Sequence, residues 1–176
     1  LKTAHYFMNL NNLLFTKKNM KVNNQTIAEL REDYRAKTVE IGDVHTNPSL
    51  QFKDWFQDAL DSTIKEANAM TIATVDSGGK PSARIVLLKG FDENGFIFYT
   101  NYNSEKGKAI AKNPNVCISF FWQAAERQVI IKGRAEKIAT NLSDGYFESR
   151  PRGSQLGALV SNQSEILKNR ETLEHK

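Results

Sequence analysis

Residues 69–101 read AMTIATVDSGGKPSARIVLLKGFDENGFIFYTN. Three apolar runs, AMTIATV (69–75), SARIVLLKGF (82–91) and FIFYTN (96–101), are separated by Asp76-Ser77-Gly78-Gly79 and Asp92-Glu93-Asn94-Gly95. Asp and Asn side chains accept local backbone N–H groups and glycine takes positive φ, so each polar tetrapeptide is a hairpin signal. NVCISFFW (115–122) and RQVIIKGRAEKIA (127–139), across a short polar link, predict a third hairpin. One helix interrupts the strands: Ser104 is its N-cap, EKGKAIAK its body and Asn113-Pro114 its stop. Strands at this spacing, joined by hairpins around one inserted helix, predict a closed or nearly closed antiparallel barrel.

Working outward, helices flank the strands, which makes the fold class mostly β with flanking helices (α+β). Ile27, Leu30 and Tyr34 fall at i, i+3, i+7 in residues 25–36, and a loop follows over 37–48. Residues 49–66 predict a longer helix with Ser49 as cap and Phe52, Phe56, Ala59, Leu60 and Thr63 on its apolar face. Residues 142–149 and 153–170 return to helix, punctuated by Pro151 and Gly153. The length suits one domain, expected over 20–176. Residues 1–19 lack helical or strand period and read as a disordered or non-native extension, with Met20 as a natural start; Leu13-Leu14-Phe15 is too short for a signal-peptide core. The sequence stops at RETLEHK, inside an expected helix.

Composition excludes several classes. No apolar run approaches the ~18–20 residues of a membrane helix. The net charge of +4 is unevenly placed: Lys2, Lys17 and Lys18 lie in residues 1–19, which hold no acid, leaving 21 basic against 20 acidic side chains from Met20 onward. A near-neutral domain is not a general nucleic-acid binder. Cys117, the single cysteine, cannot form an intrachain disulfide, which fits a reducing, cytoplasmic setting. His5, His45 and His175 form no cluster with carboxylates or Cys117, so no metal site is expected.

Three places favour anions. Arg84-Ile85-Val86-Leu87-Leu88-Lys89 has four aliphatics between two cations, which predicts a strand buried on both faces. In a regular strand Arg84 and Lys89 point to opposite faces, so the pair is either two strand-end charges in solvent or the anchors of a flat apolar ligand with anionic parts. Tyr99-Thr100-Asn101 precedes Ser104-Glu105-Lys106 at a helix N-terminus, where free N–H groups, hydroxyls and a lysine suit an anion; plain capping by Ser104 explains the same residues. Tyr146, Arg150, Arg152 and Ser154 in YFESRPRGSQ suit a phosphate monoester, or form a solvated turn.

Taken together, RIVLLKGFDENGFIFYTNYNSEKGKAIAKNPNVCISFFW, ERQVIIKGRAEKI and YFESRPRGSQLGALVSNQS closely resemble pyridoxamine 5′-phosphate oxidases, from about Ile27 to the last residue. The resemblance implies an FMN-binding split β-barrel that dimerises, with flavins in clefts between subunits, and oxidation of pyridoxamine or pyridoxine 5′-phosphate to pyridoxal 5′-phosphate by FMN and O₂, giving H₂O₂. Carried over by position, Arg84, Ile85, Val86, Leu87, Leu88 and Lys89 lie along the flavin, with Arg84 near its phosphate. Tyr99, Thr100, Glu105 and Lys106 continue the cradle, Gln128 meets the isoalloxazine region, and Gln163-Ser164 reach the partner subunit's flavin. Lys89, Tyr146, Arg150 and Ser154 take the substrate phosphate, and Arg31 to Tyr34 close over the substrate. There are two departures. Glu105 stands where many members have arginine, and either repels the flavin phosphate or points away from it. Family members also continue through further strands carrying catalytic residues, so this chain is expected to be cut short at its C-terminus, to bind flavin weakly and to turn over poorly.

Overall fold

The structure, a computed structural model, describes Ile27, Leu30, residues 39–166, Asn169 and Glu171. The extension over 1–19, most of the helix expected over 25–36 (with Arg31 and Tyr34) and the end of the chain lie outside the described residues; Ile27 and Leu30 are exposed. The chain divides into two compact units, one holding residues up to Ala67 with Phe121–Val129, the other Asn68–Phe120 with the residues from Ile130 onward.

In the first unit, helix α1 spans Pro48–Asp61. Its N-cap is Asn47 rather than Ser49: Asn47 Oδ1 accepts the Ser49 N–H at 2.8 Å, and Pro48 takes the first helical position, where its missing N–H costs nothing. The helix ends five residues earlier than expected from 49–66, because the Ser62 hydroxyl donates to Ala59 O at 2.6 Å and closes the last turn. Thr63 therefore falls outside the helix, and Leu60 is exposed. Phe52 and Ala59 are buried, and Phe52 and Phe56 lie 5.8 and 5.9 Å from the Trp122 ring. Trp122 is buried with its indole N–H donated to Ala67 O at 2.8 Å, which removes the penalty of burying that donor.

The strands are β1 (Ala69–Val75), β2 (Pro81–Asp92), β3 (Gly95–Phe98), β4 (Asn115–Trp122) and β5 (Arg127–Arg134), in the order β3-β2-β1-β4-β5. Both predicted turns form as their chemistry demands. Asp76 Oδ1 accepts the Gly78 and Lys80 N–H groups and Gly79 has φ 82°. Asp92 Oδ1 accepts those of Asn94 and Gly95, and these bonds, that from the Asn94 backbone foremost, hold its carboxyl below the usual range. The sheet is antiparallel and curls into a half-barrel. Among the described strands it does not close: β3 and β5 are the edges, and Phe96, Phe98, Ile131 and Ile138 line a cleft. β3 stops at Phe98 rather than 101, and β5 stops at Arg134 rather than 139; there the Ala135 N–H leaves the ladder to bond Pro114 O at 2.8 Å.

β2 is not buried on both faces as its four aliphatics suggested. Met70, Ile72 and Thr74 of β1 are buried, and Ile72 is the register partner of Arg84. Paired residues share a face, so Arg84 lies on the buried side while Ile85 turns outward, 64% exposed; Leu88 is the one buried aliphatic of the four. The register also breaks once. Leu88 pairs with Phe98 and Gly90 with Ile97, so Lys89 is an extra residue in a β-bulge and strand parity does not carry from Arg84 to Lys89.

Helix α2 (Glu105–Lys112) matches its sequence signals, with Ser104 Oγ accepting the Gly107 N–H and Asn113 as C-cap. Helices α3 (Thr140–Ser149) and α4 (Arg152–Val160) follow β5. α4 ends well before residue 170, where the Ser161 N–H closes on Gly157 O at 3.2 Å. Among the described residues no helix is long and apolar enough to cross a membrane, and no group of three or more His, Cys, Asp or Glu could hold a metal.

Candidate functional site

Two clusters of cations and hydroxyls form in the second unit. The first is built on β2 and the start of α2. Arg84 Nη1 donates to Thr74 Oγ1 at 2.7 Å and to Ser82 O at 3.2 Å, and Nη2 donates to Ser82 Oγ at 2.6 Å. Thr74 is a residue the sequence reading missed, and only the β1–β2 register brings it to Arg84. Lys106, the second residue of α2, is only 8% exposed, and its ammonium donates to Gln163 Oε1 at 2.9 Å. Thr100 Oγ1 donates to the same Gln163 oxygen at 3.2 Å. Gln163 thus engages its own chain's Thr100 and Lys106.

Among the described residues neither Arg84 nor Lys106 forms an ion pair. Burial first, and the Arg84 guanidinium second, hold the Lys106 pKa below the ordinary lysine value, while Glu105 opposes them. Glu105 lines a cleft of about 470 Å³ together with Arg84, Lys108 and Lys112. Lys108 and Lys112 stand three and seven residues beyond Glu105, on one face of α2, and keep that cleft net positive.

A lowered lysine pKa has a definite pH signature. Between the folded and unfolded values the unfolded chain holds the extra proton, so Lys106 makes the fold gain stability as pH rises through that window. A bound anion favours the charged ammonium, so its affinity is highest while Lys106 is protonated and falls as pH rises through the lowered pKa. Titrating a phosphate monoester across alkaline pH checks this: the affinity of the unmodified chain should decline well before that of a Lys106→Arg variant.

The second cluster lines a cleft of about 650 Å³ whose walls include Tyr99, Thr100, Tyr146, Arg150, Ser154 and Gln163. The Tyr99 and Tyr146 rings stack with centroids 3.7 Å apart and planes 3° from parallel, and Lys89 Nζ lies 6.0 Å from the Tyr146 centroid. Lys89, the extra residue of the β2 bulge, does not itself line this cleft. Arg150 is the C-cap of α3 rather than a helical residue. Gln155, which the sequence reading passed over, shapes the corner between α3 and α4: its Nε2 donates to Arg150 O at 2.8 Å and Glu148 O at 3.0 Å. Its Oε1 accepts from Arg152 Nη1 at 3.2 Å, and Arg152 does not line the cleft.

Of the other expected contacts, Val86 and Leu87 are half-buried on β2, and Ser164 is exposed with φ 73°. Gln128 is exposed on β5 and belongs to the first unit.

The pyridoxamine 5′-phosphate oxidase family model matches residues 56–176. The chain belongs to the pyridoxamine 5′-phosphate oxidase family. The pyridoxine/pyridoxamine 5′-phosphate oxidase of Flavobacterium psychrophilum is 54% identical over 151 residues, covering 85% of this chain and 71% of the relative. That of Trichormus variabilis is 55% identical over 152 residues, covering 86% and 71%. Among solved structures, PhzG from Burkholderia lata in complex with tetrahydrophenazine-1-carboxylic acid superposes with a TM-score of 0.75 at 25% identity, over 80% of this chain and 70% of that one. A pyridoxamine 5′-phosphate oxidase-related, FMN-binding protein from Nostoc punctiforme has a TM-score of 0.58 at 17% identity, over 74% and 73%, and shares the fold. Membership in the oxidase family accounts for the split half-barrel and for the order of the motifs along the chain.

Proposed function

We propose that this oxidase-family chain binds FMN and oxidises pyridoxamine or pyridoxine 5′-phosphate to pyridoxal 5′-phosphate, with O₂ as the electron acceptor. The observation that carries the reading is the presence, in one unit, of two anion-ready clusters linked by the Tyr99-Thr100 dipeptide: one beside a buried Lys106 without an ion pair among the described residues, the other in the Tyr146–Arg150–Ser154 cleft. Two phosphate-bearing ligands, a flavin mononucleotide and a phosphorylated pyridine, need two such clusters.

The residues fit FMN. Arg84, Lys106 and the Thr100 hydroxyl supply donors without a competing ion pair among the described residues, and the apolar Val86–Leu88 segment suits a flat ring. When bound, FMN would accept a hydride equivalent from C4′ of the substrate and pass the electrons to O₂ as H₂O₂. The chain's own part is binding and orientation. Lys89, Tyr146, Arg150 and Ser154 would hold the substrate phosphate, guanidinium giving a bidentate grip and the hydroxyls further donors, so that C4′ is presented to the flavin. Gln128 and Ser164 belong to the same proposed flavin contacts, and Arg31 and Tyr34 to the substrate's cover. A homodimer with the flavins between subunits is part of the same proposal, and a second copy would cover Ile85, 64% exposed on β2. A cytoplasmic setting fits the lone Cys117.

The test is direct. Purified chain is mixed with FMN, freed of excess flavin, and given pyridoxamine 5′-phosphate. Retained yellow flavin and substrate-dependent H₂O₂ support the proposal. Retained flavin without peroxide would favour a binding-only protein, and no saturable quenching of FMN fluorescence when the chain is titrated into it would overturn the cofactor assignment.

A further inference from the structure

We infer that Tyr99 is a positioning residue for Tyr146, its ring acting as the platform that holds the Tyr146 phenol at the phosphate cleft. The inference rests on the proposed function and adds a residue role to it. α3, which carries Tyr146, has no buried residue and no side-chain cap at its N-terminus, and Gly145 precedes Tyr146. Its own packing therefore does little to fix the phenol. What meets the Tyr146 ring is Tyr99, 3.7 Å away and 3° from parallel. Tyr99 is itself held: it follows β3 directly, and the next residue, Thr100, is tied to Gln163.

The geometry is close to a face-to-face sandwich, which ring quadrupoles favour less than an offset pair. The ammonium of Lys89, 6.0 Å from the Tyr146 centroid, offsets that repulsion by facing the electron-rich ring. Among the described residues neither phenol hydroxyl has a hydrogen-bond partner, so the stack holds the ring and leaves the Tyr146 hydroxyl free for an anion shared with Arg150 and Ser154, which line the same cleft. Tyr99 acts here through its ring face, not its hydroxyl.

The experiment measures dissociation constants of pyridoxal 5′-phosphate and of pyridoxal for the whole chain and for Tyr99→Leu, Tyr99→Phe, Tyr146→Ala and the Tyr99→Leu/Tyr146→Ala double variant. Tyr99→Leu should weaken pyridoxal 5′-phosphate about 5- to 10-fold, the worth of one aromatic pair, and leave pyridoxal unchanged. Tyr99→Phe, which keeps the platform, should stay within about 2-fold. Once Tyr146 is gone, Tyr99→Leu should cost little more. Equal losses in Tyr99→Phe and Tyr99→Leu, or losses that add fully in the double variant, would overturn the positioning role while leaving the substrate assignment intact. No binding of pyridoxal 5′-phosphate by the unmodified chain would overturn both.

Discussion

Replacing Arg84 and Lys106 together by alanine should abolish the distinction between FMN and riboflavin. Each residue offers a charge-assisted hydrogen bond to a phosphate, worth roughly 1.5–3 kcal/mol. Neither spends that charge on an ion pair among the described residues, so little is recovered when the ligand leaves. Losing both should weaken FMN by at least about 100-fold. Riboflavin lacks the phosphate and should bind the variant and the unmodified chain alike. Flavin fluorescence quenching reads both affinities. Arg84 also supplies a donor to the buried Thr74 hydroxyl, so its removal carries a stability cost of its own. Arg84→Lys with Lys106→Arg, which keeps both charges, separates the two effects and should retain most of the preference for FMN. If the alanine pair still prefers FMN to riboflavin as the unmodified chain does, the phosphate does not sit in this cradle.

The second large effect is expected at Gly107, in the first turn of α2. Helix propensity alone would favour alanine there by about 1 kcal/mol. Space decides the other way. A Cβ on Gly107 would run into the Tyr102 carbonyl and come within 2.8 Å of Asn101 O, both backbone groups that cannot rotate aside. The same Asn101 carbonyl accepts the Ser104 hydroxyl at 2.6 Å, so moving it disturbs the cap that starts the helix. Overpacking of this kind costs typically 1–3 kcal/mol, more for a larger side chain. Gly107→Val should therefore lower Tm by roughly 10 °C and weaken phosphate binding by displacing Lys106. Gly145→Ala is the control. A Cβ there meets nothing within 4 Å on α3, so that variant should keep or gain stability. A Gly107→Val protein as stable as the unmodified chain would mean that the turn from Asn101 to Ser104 is looser than its hydrogen bonds indicate.

These two sites show how differently the fold and the site could be read. Ser104 and Asn113-Pro114 bound α2 as the sequence indicates, because capping is a local reaction between a side chain and backbone N–H groups three residues away. Asp76 and Asp92 close their turns for the same local reason. Asn47 rather than Ser49 caps α1 because Pro48 suits the first helical position, a preference that is itself local. The helices end at Asp61 and Val160, before the predicted 66 and 170, where the Ser62 and Ser161 N–H groups close on Ala59 O and Gly157 O, an event the side-chain pattern does not encode.

The sequence by itself determined the strand and turn pattern, the inserted helix and its cap, and, through long ordered motifs, the oxidase family. All of these are set by neighbours a few residues apart or by the order of residues along the chain. Only the tertiary structure decided which charges meet. The β1–β2 register puts Arg84 beside Thr74, and the bulge at Lys89 frees it from strand parity. The return of the chain after α4 brings Gln163 to Lys106 across 57 positions, and the placement of α3 lays Tyr146 on Tyr99. Burial of Lys106 and the depression of its pKa follow from that packing, since desolvation depends on what surrounds a group in space and not on what precedes it in the chain.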